Sequence, residues 1–190
     1  MKSACIMLLF FVFSSAVFSQ NIVLKPAIGI NVTNWSKNPS TGVYTGQVGY
    51  QIGGSVAFGR KFYIEPGVFY GQQSSKYTSN TTSADDYTFD ISGVQIPVTI
   101  GYNLIGNEKG IFNIRVFGGG SAFIVTSVTQ GEKSAYTSPT WGVFAGTGVD
   151  FLIFFIDLKY QWSLTNVSEN TYEVGKSKTF LVNLGAKIPL

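Results

Sequence analysis

The chain has 190 residues and a formal net charge of +3, and charged residues occupy only 12% of its positions, about half the share of an average soluble domain. Histidine is absent and Cys5 is the single cysteine, which excludes a Ser-His-Asp triad, a Cys-His pair and the usual zinc sites. The sequence has no basic cluster or basic helix, so nucleic-acid binding has no support. No metal and no cofactor are expected.

The first twenty residues are typical of a secretory signal. An apolar run from Ala4 to Phe13 follows Lys2, and Val17 and Ser19 fit the −3 and −1 positions of a signal-peptidase site. We therefore predict a cleaved signal at residues 1–19 and one mature domain at 20–190. A membrane anchor is the alternative, but the run is short of the about 20 apolar residues that a spanning helix needs.

After the signal, apolar and polar residues alternate with a period of two, and no stretch has a helical period. In the sequence FFIDLKYQWSL, for example, Ile156 and Leu158 alternate with Asp157 and Lys159. Such alternation indicates β-strands with two unlike faces. The predicted strands, in chain order, are 22–33, 46–58, 62–72, 88–103, 111–127, 140–151, 154–164 and 178–190.

Prolines and glycines interrupt some of these strands. Pro26, Pro66 and Pro97 lie within predicted strands, and each should mark a strand start, a bulge or a locally unpaired position. The three glycines at 118–120 predict a strongly curved or bulged stretch of the fifth strand.

The connections alternate between long and short. The long ones are 34–45, 73–87, 129–139 and 166–176, and the short ones are 59–61, 104–110 and 152–154. Long extracellular loops and short periplasmic turns are typical of outer-membrane barrels. The sequence therefore predicts an all-β, eight-stranded antiparallel up-and-down transmembrane β-barrel with both termini on the periplasmic side.

The nature of the two faces favours a membrane barrel over a soluble one. A soluble barrel would need many more Lys and Glu on its surface than this chain has, and a narrow interior could not hold a large aromatic side chain from every strand. A lipocalin-like carrier would need an apolar cavity, and usually disulfides or a flanking helix, which are not apparent. In the membrane interpretation, aromatic residues near strand ends form the interfacial girdles: Tyr50, Tyr70, Tyr102, Trp141, Tyr160 and Trp162.

The few charged residues on strands share the inward face and one end of the barrel. They are Lys25, Glu65, Arg115, Asp150, Asp157, Lys159 and Lys187. Buried charges persist only when they are paired, so we predict an ion-pair network that closes the lower barrel, centred on Glu65, Arg115, Asp150 and Lys159. The upper interior should be more open and watery, with a lining that includes Gly49, Gln51, Gly67 and Gly71.

Three stretches resemble the PorT-related family of outer-membrane β-barrels: YIEPGVFY at 63–70, GVQIPVTIGYNL at 93–104 and GTGVDFLIFFIDLKYQWSLTNV at 146–167. Lys159 stands where that family commonly has Arg. Asn183, Gly185, Ile188 and Leu190 resemble the carboxy-terminal signal read by the barrel-assembly machinery, although Leu replaces the usual final Phe. The resemblance implies a small barrel in the outer membrane of a Gram-negative bacterium, in contact with outer-membrane lipid and assembled by that machinery.

These observations favour a structural or surface-interaction role without a conducting pore, in which the loops meet surface or secretion-complex proteins. An accessory of a secretion or gliding machinery and a narrow-pore transporter are the alternatives. A lipid-acting enzyme is disfavoured, because Ser163 and Asp157 share a face but have no general base beside them in sequence.

Overall fold

The structure, a computed structural model, describes residues 22–35, 42–79, 87–106, 111–129, 138–165 and 176–190. The predicted signal at 1–19 lies outside these ranges. The strands are β1 (Ile22–Trp35), β2 (Gly42–Gly59), β3 (Phe62–Ser79), β4 (Tyr87–Ile105), β5 (Phe112–Val128), β6 (Thr140–Phe151), β7 (Phe154–Ser163), β8 (Ser177–Ala186) and β9 (Ile188–Pro189).

Each strand from β1 to β8 pairs antiparallel with the next, and β8 pairs back with β1. The two-residue β9 continues β8 beyond Lys187 and pairs with Val23 and Leu24 of β1. The sheet is therefore a closed eight-stranded barrel, as predicted. Within the described ranges, no helix is long and apolar enough to cross a bilayer. We call the end of the barrel at which β1 begins and β8 ends the termini end. The opposite end is called the loop end.

Strands on one side of the barrel are much longer than those on the other. β2, β3, β4 and β5 have 18, 18, 19 and 17 residues, whereas β6, β7 and β8 have 12, 10 and 10. The prediction that the third strand ends at 72 is wrong. Residues 73–79 continue the strand with Ser75 and Tyr77 buried and Lys76 and Thr78 exposed. Because both faces are largely polar there, the apolar alternation that marks a strand is missing.

The three prolines lie where backbone pairing is interrupted. Beside Pro26 the pairing of β1 passes from Gly185 of β8 to Ile188 of β9. Pro66 lies at a gap in the β2–β3 pairing, and Pro97 lies at a gap in the β3–β4 pairing. Proline has no backbone N–H to donate. Each gap therefore falls where one hydrogen bond of the ladder cannot form.

Residues 118–120 were predicted to be strongly curved or bulged, and the bulge is wrong. Gly118, Gly119 and Gly120 pair in unbroken register with β4 on one side and β6 on the other. In the β4–β5 ladder, the register shifts occur instead at Ser92/Gly93 and Asn103/Ile105.

The barrel interior contains large rings as well as polar groups, and glycines make the space for them. The buried rings include Tyr63, Phe69, Phe117, Phe123, Phe144 and Phe155. A Cβ atom added at Gly101 would meet the ring of Tyr63, and one added at Gly146 would meet the ring of Phe117. In both cases a ring from one strand lies against the glycine backbone of the strand paired with it.

We expect Gly101→Ala to lower the free energy of unfolding by about 1–3 kcal/mol, the usual range for overpacking. In a Tyr63→Ala background the same change should lower the free energy of unfolding much less, because the ring that the new methyl group would meet is gone. The measurement is a urea titration of the heat-modifiable folded gel band. Gly120→Ala is the control, since the nearest atom to its Cβ would be 3.7 Å away. Equal losses in both Tyr63 backgrounds would contradict this packing.

Candidate functional site

Arg115 of β5 joins three carboxylates inside the termini end of the barrel. Its Nη2 lies 2.6 Å from Asp157 Oδ1 and 3.1 Å from Asp150 Oδ1, and its Nη1 lies 3.6 Å from Glu65 Oε2. The side chains come from β3, β5, β6 and β7. One guanidinium therefore connects both sides of the lumen, using the several donors that its planar fork provides.

Two lysines extend this cluster. Lys25 Nζ donates to Glu65 Oε2 at 2.9 Å, and Ser55 Oγ donates to the other oxygen of the same carboxylate at 2.7 Å. Lys187 Nζ donates to Asp150 Oδ2 at 3.2 Å. We call the ion-paired set of Lys25, Glu65, Arg115, Asp150, Asp157 and Lys187 the charged cluster. It contains six of the seven charges that the sequence placed in a network.

Burial makes this pairing necessary. Lys25, Arg115 and Asp150 are each 0% exposed, and an unpaired charge at such a depth would be strongly destabilising. Gly148 provides the room, because a Cβ there would meet Asp157 Oδ1 and the Nε of Arg115. The packing of Arg115 against Asp157 thus depends on a residue without a side chain.

Two asparagines link the charged cluster to the turn between β2 and β3. Asn113 Nδ2 donates to Asp150 Oδ2 at 3.0 Å and to Asn103 Oδ1 at 2.8 Å. Asn103 in turn donates from its side chain to the carbonyl of Arg60 and from its backbone N–H to the carbonyl of Lys61, the latter at 2.9 Å. This chain of hydrogen bonds was not predicted from the sequence.

Lys159 has different surroundings from the other six charges. Its Nζ lies 4.5 Å from the ring centre of Phe144 and 5.9 Å from that of Phe117. In the part of the chain that the structure describes, no carboxylate forms an ion pair with it. Ring faces attract cations, more strongly where water is excluded. Lys159 therefore lies at the edge of the charged cluster and not at its centre.

The ring of Phe155, nearer the termini end than Lys159, also faces cations. Its centre is 4.6 Å from Lys25 Nζ and 5.2 Å from the Arg115 guanidinium carbon. Sequence reasoning missed these inward phenylalanines. The available signal was register, since Phe155 has the same parity along β7 as Asp157 and Lys159.

The interior nearer the loop end is filled, so the expectation of an open, watery upper lumen is wrong. Gln51 donates to Asn183 and Gln95 donates to Gln161, both at 2.6 Å. Beyond them lies an apolar cluster of Phe89, Ile91, Phe123 and Val125. The cavities between these groups measure about 10 and 20 Å³, which is room for about one water molecule each.

The six aromatic residues assigned to the interfaces all point outward, with Tyr102 half-buried and the others exposed. Tyr102 packs edge-on against Phe62 at the termini end, with ring centres 4.9 Å apart. Tyr160 packs in the same way against Trp162 near the end of β7, at 4.8 Å.

In the described part of the barrel, the polar groups of the lumen form hydrogen bonds and ion pairs with one another and do not form a catalytic or metal-binding arrangement. Asp157 contacts Arg115, while Ser163 Oγ donates to the carbonyl of Thr165 at 2.7 Å. Ser163 is six positions along the strand from Asp157, a distance of about 20 Å. Among the described residues, no group of three or more potential ligand side chains could hold a metal ion.

Comparisons with known proteins agree with this architecture. Residues 18–169 match the family described as outer membrane protein beta-barrel domain. The chain is similar to OprG of Pseudomonas aeruginosa, with 11% identity, a TM-score of 0.52, and 89% of this chain and 94% of that chain covered.

It is also similar to Neisserial surface protein A, with 10% identity, a TM-score of 0.49, and 88% and 96% covered. Its identity to Ail of Yersinia pestis is 12%, with a TM-score of 0.47, and the match covers 89% of this chain and 99% of that chain. These likenesses concern the fold alone. A comparison with curated proteins found no match.

Arg115→Met should lower the free energy of unfolding by about 3–5 kcal/mol, because it leaves buried carboxylates without their shared cation. Adding Asp157→Asn to this variant should recover part of the loss. Urea titration of the heat-modifiable gel band measures both. Lys178→Met, at an exposed position of β8, is the matched control and should have little effect. A midpoint unchanged by Arg115→Met would show that the charged cluster does not stabilise the barrel.

Proposed function

Because the chain belongs to the outer membrane protein beta-barrel family, we propose that it is a small barrel of the Gram-negative outer membrane with a structural or surface-interaction role. In this proposal it has neither a conducting pore nor a catalytic site. The observation that carries the proposal is the filled lumen. Three kinds of group fill the lumen: ion pairs, aromatic rings and paired amides.

The filling argues against conduction. The charged cluster spans the lumen at the termini end, and Phe69, Phe117 and Phe144 lie above it. An interior of eight strands is just wide enough for side chains to fill. Transport of a hydrated ion would require Arg115 to leave its three carboxylates, which a buried network opposes strongly.

The same groups argue against catalysis. A catalytic acid or base needs a poised carboxylate or histidine near a reacting group. The sequence has no histidine, and Glu65, Asp150 and Asp157 each contact a cation. The proposed task therefore belongs to the rim and not to the lumen.

We propose that the termini end faces the periplasm and the loop end faces the cell exterior. The long connections at the loop end support this placement, since outer-membrane barrels have long extracellular loops and short periplasmic turns. The outward face is apolar around Ile52 and Val68, as a lipid-facing wall requires. The outward aromatic residues would then mark the two lipid–water interfaces. Lipid of the outer membrane is the partner of this wall, and the closing strand β8 with β9 is the segment offered to the barrel-assembly machinery.

The long connections at the loop end are the segments for meeting surface or secretion-complex proteins, because rigid scaffolds commonly carry recognition on their loops. A finer relation to the PorT group, and with it an accessory role in secretion or gliding, remains a prediction.

Reconstituted protein in planar bilayers should show no reproducible, uniform conductance steps. A sixteen-stranded porin, whose lumen is open, is the positive control under the same conditions. Stable steps of one size that persist across preparations would contradict the absence of a pore.

The orientation can be tested with single cysteines, since Cys5 lies in the predicted signal. Ser83→Cys, between β3 and β4, should react in intact cells with a membrane-impermeant maleimide. Lys61→Cys, in the turn between β2 and β3, should react only after the outer membrane is permeabilised. The reverse labelling pattern would invert the proposed orientation and remove the loops from the cell surface.

A further inference from the structure

Two turns at the termini end differ in charge. The turn between β2 and β3 carries Arg60 and Lys61, both exposed, whereas the turn across the barrel, between β6 and β7, consists of Leu152 and Ile153. One side of this end is therefore basic and the other is apolar. Neither the charged cluster nor the proposed role at the loop end uses the basic turn.

An outward groove begins directly beside this turn. Its volume is about 590 Å³, and it is open along its outer side. Phe58, Phe62, Ile64 and Ile100 contribute its apolar lining, and Arg60 and Lys61 line one end. The groove therefore has an apolar length and a cationic end, on the wall of the barrel that lipid covers.

The basic turn is held in place from inside the barrel. Asn103 donates to the carbonyls of both Arg60 and Lys61, and Arg60 N–H donates to the Phe62 carbonyl at 3.1 Å. Lys61 Nζ lies 5.5 Å from the ring centre of Tyr102, which packs against Phe62. The cations are thus mounted on a fixed backbone next to a fixed aromatic wall.

We propose that this groove is a binding site for an anionic phospholipid of the leaflet at the termini end. One acyl chain lies against Phe58, Ile64 and Ile100, and the headgroup phosphate contacts Arg60 and Lys61. Charge complementarity selects the occupant: two adjacent cations at the end of an apolar groove match a lipid that joins hydrocarbon to a net negative headgroup. A zwitterionic lipid offers the same hydrocarbon with an added positive charge, so it should bind less well.

Native mass spectrometry of the full chain in detergent tests the site, with phosphatidylglycerol and phosphatidylethanolamine titrated separately. The wild-type protein should retain one phosphatidylglycerol more tightly than phosphatidylethanolamine. Each of Arg60→Gln and Lys61→Gln should weaken phosphatidylglycerol binding about fivefold, since a basic residue near an anionic lipid surface contributes about 1 kcal/mol. The double variant should bind the two lipids equally.

Lys76→Gln combined with Lys178→Gln is the matched control, because it removes two exposed cations from the loop end and should leave the lipid preference unchanged. The heat-modifiable gel shift verifies that every variant is folded. Soluble glycerol phosphate separates the headgroup from the acyl chain and should bind far more weakly than the lipid. Equal retention of the two lipids by the wild-type protein, an unchanged preference in the double variant, or equally tight binding of glycerol phosphate would each overturn the proposal.

Discussion

Within the hydrocarbon of a bilayer, a backbone N–H or C=O group has no water to pair with, so a sheet that crosses it must close on itself. The pairing of β8 with β1 meets this requirement, and the gaps in the ladders coincide with Pro26, Pro66 and Pro97, where one donor is missing. Closure with eight strands then fixes a narrow interior. Every inward side chain must fit that width, and this condition accounts for the choice of residues inside.

Two kinds of group share the narrow interior, and each is made acceptable by a neighbour. The charges are neutralised by convergence on Arg115, which contacts carboxylates from three other strands. The large rings fit because glycines such as Gly101 and Gly146 lie opposite them. The rings then supply faces for cations, as for Lys159 above Phe144. Polar and aromatic filling are therefore parts of one packing arrangement.

Much of the architecture could be predicted because period-two alternation assigns both a strand and its faces. The inward position of Asp157 and Lys159 follows from Ile156 and Leu158 facing lipid. The failures have physical causes. An apolar residue in an inward register, such as Phe155, looks like a lipid-facing one unless its parity is counted. The extension of β3 to Ser79 lacked the apolar signal because both of its faces are largely polar. The direct partners of Arg115 depend on register across four strands, which alternation within single strands does not determine.

The unequal strand lengths make the rim oblique. β3 has 18 residues and β7 has 10; at about 3.3 Å per residue and a tilt near 45°, the difference corresponds to a height of roughly 15–20 Å. The segment leaving β3 therefore begins farther from the bilayer midplane than the segment leaving β7. At the loop end, the wall formed by the described strands therefore stands higher on the β3–β4 side than on the β7–β8 side, so the barrel carries its connections at two different heights.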